Sequence, residues 1–129
     1  MNKRVLSACL MVVISLGVAP PLTLHGAAAH AYDDARGEAK AQVEFGIQVA
    51  QKKLWREATY RFEKAVEIDP TYPEAWNNLA IAYEEQGNFK DAEKAYDKAL
   101  KLDPDNLLIR QNYDLFKEIY DRIARRNRR

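Results

Sequence analysis

The chain has very few residues that can act as nucleophiles or metal ligands. Among its 129 residues there is one Cys (Cys9), two His (His25 and His30) and two Ser (Ser7 and Ser15), and all five precede residue 32. From residue 32 onward the sequence therefore excludes a disulfide, a thiolate or imidazole metal ligand, and Ser, Cys or His catalysis. We expect no enzyme activity, no cofactor and no metal site.

An excess of charge of one sign is also lacking. Two of the 20 Lys and Arg residues precede residue 32, whereas all 19 acidic residues follow it, so residues 32–129 carry a net charge of −1. A near-neutral surface has no bulk field to attract nucleic acid, and we expect no nucleic-acid partner. The exception is the basic tail, residues 125–129. It either makes weak contact with anionic surfaces or is a solvated helix end whose cations suit the helix dipole; we favour the second.

The single long hydrophobic run is close to the N-terminus. A positively charged start precedes the apolar stretch Val5–Ala19, which is shorter than the roughly 20 residues that span a bilayer. Ala29–Ala31 has the A-x-A form of a signal-peptidase site. Residues 1–31 are therefore predicted to be a signal peptide cleaved after Ala31, which indicates a periplasmic or secreted protein. The alternatives are an uncleaved inner-membrane anchor and, less favoured, lipidation at Cys9.

What the sequence does have is an internal repeat of 34 residues. The matching pairs are Ala58 and Ala92, Phe62 and Tyr96, Ala65 and Ala99, Asp69 and Asp103, and Pro70 and Pro104. A fixed period of this length with a helix–turn–helix pattern is typical of a solenoid. We therefore expect stacked helical units that present a surface to another protein.

Within each unit, apolar residues recur at helical spacing. Trp76, Leu79, Ala80 and Tyr83 form one stripe of a 3.6-residue helix, which Gly87 ends. In the first unit Phe45, Gly46 and Val49 take the places of Leu79, Ala80 and Tyr83 and are expected to pack inward. Trp55 and Trp76 fall on packing positions and are interpreted as core. The predicted helices are 36–52, 55–68, 73–86, 89–102 and 105–124, with Asp105 available as a cap for the last.

The last helix has one apolar stripe and no partner after it. The stripe consists of Ile109, Tyr113, Phe116, Tyr120 and Ile123, and its aromatic residues are interpreted as packing against the 89–102 helix. An amphipathic terminal helix with a polar outer face is what caps a solenoid. The chain is thus predicted to be an all-α solenoid. Its parts are an N-terminal segment 32–38, repeats 39–72 and 73–106, a capping helix 107–124 and the tail 125–129.

This pattern resembles the tetratricopeptide repeat (TPR) family over roughly residues 39–124. Its signature positions are filled by Trp76, Leu79, Ala80, Tyr83, Ala92, Tyr96, Ala99 and Pro104. The resemblance implies a right-handed superhelix that binds a protein or peptide in a concave groove, lined by the first helix of each pair. Carried over to this chain, the implied groove residues are Lys40, Val43, Glu44, Ile47, Asn77, Asn78, Ile81, Glu85, Gln111 and Asn112.

The groove residues imply one kind of ligand over another. Some family members grip a C-terminal carboxylate with Lys, Asn and Arg, and here Asn78 alone fits that pattern. The groove is instead partly apolar and partly acidic, which suits an amphipathic helix or an extended segment with some basic residues. Val43, Ile47 and Ile81 are interpreted as the source of affinity, with Asn77 and Asn78 orienting the ligand.

Other functional hypotheses remain open from the sequence. The solenoid could be structural, with its groove serving for self-association into a homo-oligomer, or it could be a membrane-tethered adaptor if the leader is retained. Neighbouring carboxylates such as Glu84 and Glu85 lack the flanking residues of a metal or acid–base site and are interpreted as a solvated face. The sequence does not identify the partner.

Overall fold

The structure is a computed structural model that describes residues 24–128, with side chains from residue 28 onward. Those residues form five α-helices and no strand: α1 (Leu24–Gln51), α2 (Trp55–Ile68), α3 (Pro73–Glu85), α4 (Phe89–Leu102) and α5 (Leu107–Arg126). Residues 1–23 of the predicted signal peptide and Arg129 of the predicted tail lie outside this part of the chain. The prediction of an all-α solenoid is confirmed, and none of the described helices is long and apolar enough to cross a bilayer.

The bounds of the three inner helices match the sequence prediction to within one residue, and those of the two outer helices differ more. α2 and α4 have the predicted bounds, and α3 ends at Glu85 instead of residue 86. α5 begins two residues later than expected because Asn106, and not Asp105, is its N-cap. The Asn106 side-chain oxygen accepts a hydrogen bond from the backbone N–H of Ile109 at 3.3 Å, which satisfies one of the free donors of the first turn.

The start of α1 corrects the prediction. We expected this helix to begin near residue 36, but it begins at Leu24 and continues without a break through Ala31 and the segment 32–38. The stretch is rich in alanine and contains no proline, so nothing in it stops a helix. The extension also has a partner in the folded chain, described below, which local sequence does not reveal.

Consecutive helices pack as antiparallel neighbours, so α1, α3 and α5 run in the same direction. α1 contacts α3 and α3 contacts α5, whereas α2 and α4 do not approach each other. The stack is therefore tighter on the side of the odd-numbered helices. We call this side the concave face.

Close approach of the helices depends on small residues opposite aromatic rings. Four alanines at matching repeat positions are almost completely excluded from solvent: Ala58, Ala65, Ala92 and Ala99. Gly46 of α1 lies directly against Phe62 of α2, because a Cβ built on Gly46 would stand 2.5 Å from Cε1 of that ring. The ring itself is buried, so the first helix pair requires glycine here.

An aromatic cluster holds the capping helix α5 to α4. Phe116 is completely buried and its ring centroid lies 5.3 Å from that of Tyr96 and 5.7 Å from that of Tyr120. Tyr120 in turn stacks on Phe89 at 5.7 Å, and Tyr113 lies 5.8 Å from Tyr96. The prediction that the aromatic stripe of the last helix packs on the 89–102 helix is confirmed.

The two tryptophans and Phe45 have different environments. Trp55 and Trp76 are partly buried and pack against the core, as predicted. Phe45 was expected to pack inward like Leu79, but 45% of its surface is exposed. In the second repeat Leu79 is buried and α2 packs beside α3, whereas none of the described helices precedes α1. The Arg61 guanidinium lies over the Phe45 ring instead, 4.5 Å from its centroid.

Each junction between repeats is closed by the fourth residue of the following helix. The indole Nε1 of Trp76 donates a hydrogen bond to the carbonyl oxygen of Pro70 at 2.8 Å. Arg110, one period later, donates from its guanidinium to the carbonyl oxygen of Pro104. Two chemically different side chains thus satisfy the same backbone acceptor in successive turns.

The turns within the repeats need a left-handed residue, and the two repeats supply it differently. Gly87 has φ +77° and Lys53, one period earlier, has φ +62°. Glycine adopts this conformation freely, whereas a residue with a side chain loses about 1–2 kcal/mol. The first turn therefore has a lysine where the fold favours glycine.

The N-terminal extension of α1 is anchored to the end of the first repeat. The Arg36 guanidinium pairs with the buried carboxylate of Asp69 and lies over the Tyr72 ring, 4.6 Å from its centroid. Thr71 also donates to Asp69, from its backbone N–H at 2.9 Å and its hydroxyl at 2.7 Å. Tyr32 shares a hydrogen bond with the Thr71 hydroxyl at 3.0 Å. Segment 32–38 is thus part of the packed structure.

We expect Gly46→Ala to lower the free energy of unfolding by about 1–2 kcal/mol, because overpacking against Phe62 outweighs the gain in helix propensity. Gly37→Ala is the matched control on the same helix. No other atom lies within 4 Å of the Cβ position at Gly37, so that change should raise the unfolding free energy by about 0.5–1 kcal/mol. Urea denaturation measures both, and stabilisation by both changes would contradict the packing argument.

The carboxyl group of Asp69 predicts that the free energy of unfolding depends on pH. Burial alone would raise the pKa of its carboxyl, but hydrogen bonds from Arg36 and Thr71 outweigh burial and hold the pKa below its usual value. A lowered folded-state pKa stabilises the fold above the unfolded pKa of about 3.9, and this stability is lost as pH falls through the folded value. Asp69→Asn should therefore lower the unfolding free energy by about 1–3 kcal/mol near neutral pH and by less in acid.

Thermal denaturation over a pH series measures this difference between the wild type and Asp69→Asn. Glu118→Gln is the control, since it removes the exposed ion pair with Arg122 at 3.1 Å and should have no measurable effect. A wild-type advantage that stayed constant from neutral pH to strong acid would show that the Asp69 charge is not its cause.

Candidate functional site

Three aliphatic side chains cross the concave face at the repeat period of 34 residues. Ile47 of α1, Ile81 of α3 and Leu115 of α5 occupy the same position in successive first helices. Ile47 is 37% exposed, Leu115 is 60% exposed and Ile81 is half-buried. We call these three residues the aliphatic ladder. α1 contacts α3 and α3 contacts α5, so the three side chains form a stripe across the whole stack.

A depression of about 270 Å³ lies between α1 and α3 at one end of this ladder. Ile47 and Ile81 line it together with Asn78, while Trp55 and Phe62 contribute aromatic surface from α2. Lys53, Ala50 and Gln51 complete the lining. The depression combines apolar surface with a few polar groups, which is the usual composition of a site that binds a side chain of a ligand.

Eight of the ten predicted groove residues are at least partly accessible. Lys40, Glu44, Ile47, Glu85 and Gln111 are exposed, and Asn78, Ile81 and Asn112 are half-buried. Their accessibility is compatible with the predicted groove, and contact with a ligand stays a prediction for each of them.

Val43 and Asn77 are corrections to the predicted groove. They occupy the same repeat position, and their exposed fractions are only 4% and 6%. Val43 belongs to the hydrophobic core, so it cannot supply affinity for a ligand. Asn77 accepts a hydrogen bond on its Oδ1 from the Nδ2 of Asn112 at 3.1 Å. Its role is to join α3 to α5 inside the protein, because a buried amide needs an internal partner.

Asn78 and Glu84 are also partly engaged by the protein itself. The Nδ2 of Asn78 donates to the backbone carbonyl of Glu74 at 2.7 Å. The Glu84 carboxylate accepts a hydrogen bond from the hydroxyl of Tyr96 at 3.1 Å. Burial raises the pKa of Glu84, although the Tyr96 hydrogen bond opposes this shift. Burial, with the Glu84 carboxylate beside the hydroxyl, raises the pKa of Tyr96 as well. Glu84 therefore supports the structure more than it contributes an accessible charge.

Several residues that line the depression or are accessible on this face were not in the predicted set. Lys53, Trp55 and Phe62 enter the depression from outside the first helices. Ile119 is 42% exposed and lies one period after Glu85, so the repeat register would have placed it in the groove. The other three could not be found in this way because they belong to the turn and to the second helix.

Within residues 24–128 no three His, Cys, Asp or Glu side chains are grouped so as to hold a metal ion. The accessible carboxylates of the concave face, Glu44, Glu74 and Glu85, belong to different turns of α1 and α3. They give the face a negative character without forming a compact site. The arrangement is suited to contact with a long ligand.

Comparison with known proteins agrees with this architecture. Residues 73–106 match a family model described as tetratricopeptide repeat, and residues 50–87 match one described as TPR repeat. The TPR domain of Arabidopsis OM64 superimposes with a TM-score of 0.63 over 68% of this chain and 73% of that domain, at 22% identity. At that identity the structural likeness shows the fold alone.

Two curated relatives are similar in sequence but longer. The chain is 35% identical over 81 residues to mouse protein O-mannosyl-transferase TMTC1, covering 63% of this chain and 8% of the mouse protein. It is 31% identical over 99 residues to the type IV pilus assembly protein PilF of Pseudomonas aeruginosa, covering 70% of this chain and 39% of PilF. In both cases the shared part is a minor portion of the relative. From its repeats, its helix arrangement and these matches, the part of the chain from residue 50 to residue 106 belongs to the tetratricopeptide repeat family.

Proposed function

We propose that this chain is a non-catalytic binding module whose concave face takes an amphipathic helix or an extended segment of a protein partner. Its role is to scaffold or assist the assembly of a protein complex. The observation that carries this proposal is the aliphatic ladder of Ile47, Ile81 and Leu115, which leaves apolar side chains accessible on three successive helices. TPR repeats typically mediate interactions between proteins, and this ladder is the surface through which this chain would do so.

The size of the ladder favours a reversible complex. Complete burial of a fully exposed aliphatic side chain contributes about 1.5–3 kcal/mol. The three side chains of the ladder are already partly buried, so covering them contributes roughly 2–4 kcal/mol in total. Association costs at least a comparable amount in lost translational and side-chain freedom. Further contacts around the ladder are therefore needed, and Ile119 of α5 and the depression beside Trp55 supply accessible surface for them.

The charges around the ladder favour a partner segment with basic residues. Glu44, Glu74 and Glu85 are exposed on α1 and α3, while Lys40 is an accessible cation near the start of the face. Complementary charge raises the association rate and selects among partners more than it adds affinity. A segment with aliphatic residues on one side and Lys or Arg on the other matches this surface.

Composition and relatives support the non-catalytic part of the proposal. No Ser, Cys or His follows residue 31, so the concave face lacks the usual nucleophiles and general bases. The relative PilF is named for pilus assembly, which fits a role in building a complex. TMTC1 is named as a transferase, but the shared part is a small fraction of that protein.

Self-association is a second candidate, and one observation favours it. Leu108, Leu115 and Ile119 are 63%, 60% and 42% exposed on one side of α5. A stripe of this kind can bind the same stripe of another copy, because a twofold dimer uses one surface twice. The ladder would then serve as the contact between copies.

A library of displayed peptides tests the binding proposal while the partner is unidentified. Peptides selected on the wild type should combine aliphatic and basic residues, and Leu115→Asp should weaken their binding about tenfold or more, since a buried leucine contributes at least about 1.4 kcal/mol. Leu107→Asp is the matched control, because Leu107 is 72% exposed at the start of α5 and outside the ladder. Fluorescence anisotropy measures each affinity.

Equal binding of the selected peptides by Leu115→Asp and wild type would contradict a site on the ladder. Sedimentation velocity over a concentration series separates the self-association candidate. A wild type that dimerises where Leu115→Asp stays monomeric would favour it, and a wild type that is monomeric throughout would exclude it.

We also propose that the module is exported to the periplasm, from the charged start, the apolar stretch Val5–Ala19 and the A-x-A site that ends at Ala31. Intact mass measured separately on periplasmic, membrane and cytosolic fractions is the test. A soluble periplasmic species that begins at Tyr32 is expected. A full-length species in the membrane fraction would contradict cleavage and support a tethered adaptor.

A further inference from the structure

One edge of the solenoid carries an excess of accessible cations that the sequence distributes over three separate segments. Because α1, α3 and α5 run in the same direction, their C-terminal ends lie along one edge of the stack. Gln86, at the end of α3, donates to the Thr59 hydroxyl of α2 at 2.5 Å, and Tyr120 of α5 stacks on Phe89 at 5.7 Å. The turn between α1 and α2 (the first turn), the turn between α3 and α4 (the second turn) and the end of α5 are therefore neighbours. We call this surface, formed by residues 52–56, 87–90 and 122–128, the basic edge.

All three segments are purely basic in their charged residues, since residues 87–90 contain Lys90 and no carboxylate. Residues 52–56 contain Lys52, Lys53 and Arg56 with no carboxylate, and residues 122–128 contain four arginines with no carboxylate. Several nearby carboxylates are paired, since Glu57 accepts from Arg61 at 3.0 Å and Glu118 from Arg122 at 3.1 Å. Glu85 and Asp121 also lie near this edge and reduce the excess of cations without cancelling it.

The opposite edge has no comparable excess of cations. The turns between repeats contain Asp69, Asp103 and Asp105, and residues 67–74 contain three carboxylates and no cation. Cations from other segments balance these carboxylates, since Arg36 pairs with Asp69 and Lys64 pairs with Glu67. The accessible cations are thus concentrated at the basic edge, although the net charge of residues 32–129 is close to zero.

The first turn adds apolar surface to the basic edge. Leu54 is 55% exposed and Tyr60 is 48% exposed, and together with Lys53, Trp55, Arg56 and Glu57 they line a shallow depression of about 670 Å³. At the corresponding turn of the second repeat the chain has Gly87 and Asn88. The first repeat has Lys53 in the left-handed conformation and an exposed leucine instead, so local stability does not account for either residue.

We propose that the basic edge binds an anionic lipid surface, with Leu54 entering the headgroup region and the surrounding Lys and Arg side chains pairing with lipid phosphates. Exposed leucine and tyrosine among long cationic side chains are the combination that lies in a membrane interface. Stacked nucleic-acid bases would need free aromatic faces, but Trp55 is half-buried and Lys53 lies over its ring at 5.7 Å. Lys53 and Trp55 also line the depression of the concave face, but the aliphatic ladder lies outside the basic edge, so the proposal does not depend on the function proposed above.

Flotation of the full chain with vesicles tests this proposal. One set of vesicles contains phosphatidylcholine alone and the other contains phosphatidylcholine mixed with phosphatidylglycerol. The readout is the ratio of the two partition coefficients, because the apolar leader Val5–Ala19 contributes to both lipids and is common to all variants. The wild type should prefer the anionic vesicles, and added salt should reduce this preference.

Each cation close to an anionic membrane strengthens partitioning about fivefold, so Lys52→Ala with Arg56→Ala should reduce the ratio about 25-fold. Arg125→Ala with Arg126→Ala should act similarly. The control is Lys40→Ala with Lys101→Ala, which removes the same charge from exposed positions toward the opposite edge and should leave the ratio nearly unchanged. Equal losses in the control and in the basic-edge variants would overturn the proposal.

The contribution of Leu54 is tested by a matched pair of variants. Leu54→Ser should weaken binding to the anionic vesicles about fivefold, since a partly inserted leucine is lost. Leu107→Ser removes a leucine that is 72% exposed at the opposite edge and should have no effect. If both changes weaken binding equally, the loss comes from general hydrophobicity and the proposed surface is wrong.

Lys53→Gly distinguishes a loss of lipid binding from a loss of folding. This change supplies the residue that the turn favours, so thermal stability should rise while the preference for anionic vesicles falls about fivefold. Unchanged binding in this more stable variant would count against a role for the first turn. Competition by soluble glycerol phosphate as strong as that by vesicles would show a phosphate site and overturn the membrane surface.

Discussion

Close packing of small residues against aromatic rings is the constraint on which this solenoid depends. Gly46 leaves no room for a Cβ beside Phe62, and the buried alanines of α2 and α4 allow the neighbouring helices to approach in the same way. Because the interior is packed to crystal-like density, a change of one methyl group on this line would move a whole helix. The positions of the aliphatic ladder and of the basic edge both follow from these helix spacings.

Most of the fold could be predicted from the sequence because the two repeats show the same pattern of helices and turns. The period of 34 residues and the Asp-Pro pairs located α2 and α4 to the residue, and the aromatic stripe of α5 indicated its partner. The start of α1 was placed too late, since the alanine-rich stretch before residue 36 continues the helix and local sequence does not reveal the contact of Arg36 with Asp69, 33 residues away. The exposed Phe45 was missed because the repeat pattern assumes a preceding helix.

The repeat positions of the candidate site could be predicted from the sequence, but the burial of individual side chains could not. Carrying over the repeat positions located Ile47 and Ile81 on the accessible face, yet the same procedure selected Val43 and Asn77, which the structure buries. A repeat position specifies the direction of a side chain only approximately, and local packing decides whether it reaches solvent. The basic edge brings together residues 70 positions apart, so no local pattern could have indicated it.

The hydrogen bonds at the two junctions between repeats show that this fold can be extended by further repeats. Trp76 and Arg110 bind the carbonyl oxygens of Pro70 and Pro104, and each bond involves residues only six positions apart. Each of these two hydrogen bonds therefore forms within its own junction, even though Arg36 adds a distant contact at the first. Duplication of one 34-residue unit would bring the same local bond with it and lengthen the concave face by one helix. Modular extension of the concave face is thus already present in the chemistry of two short turns.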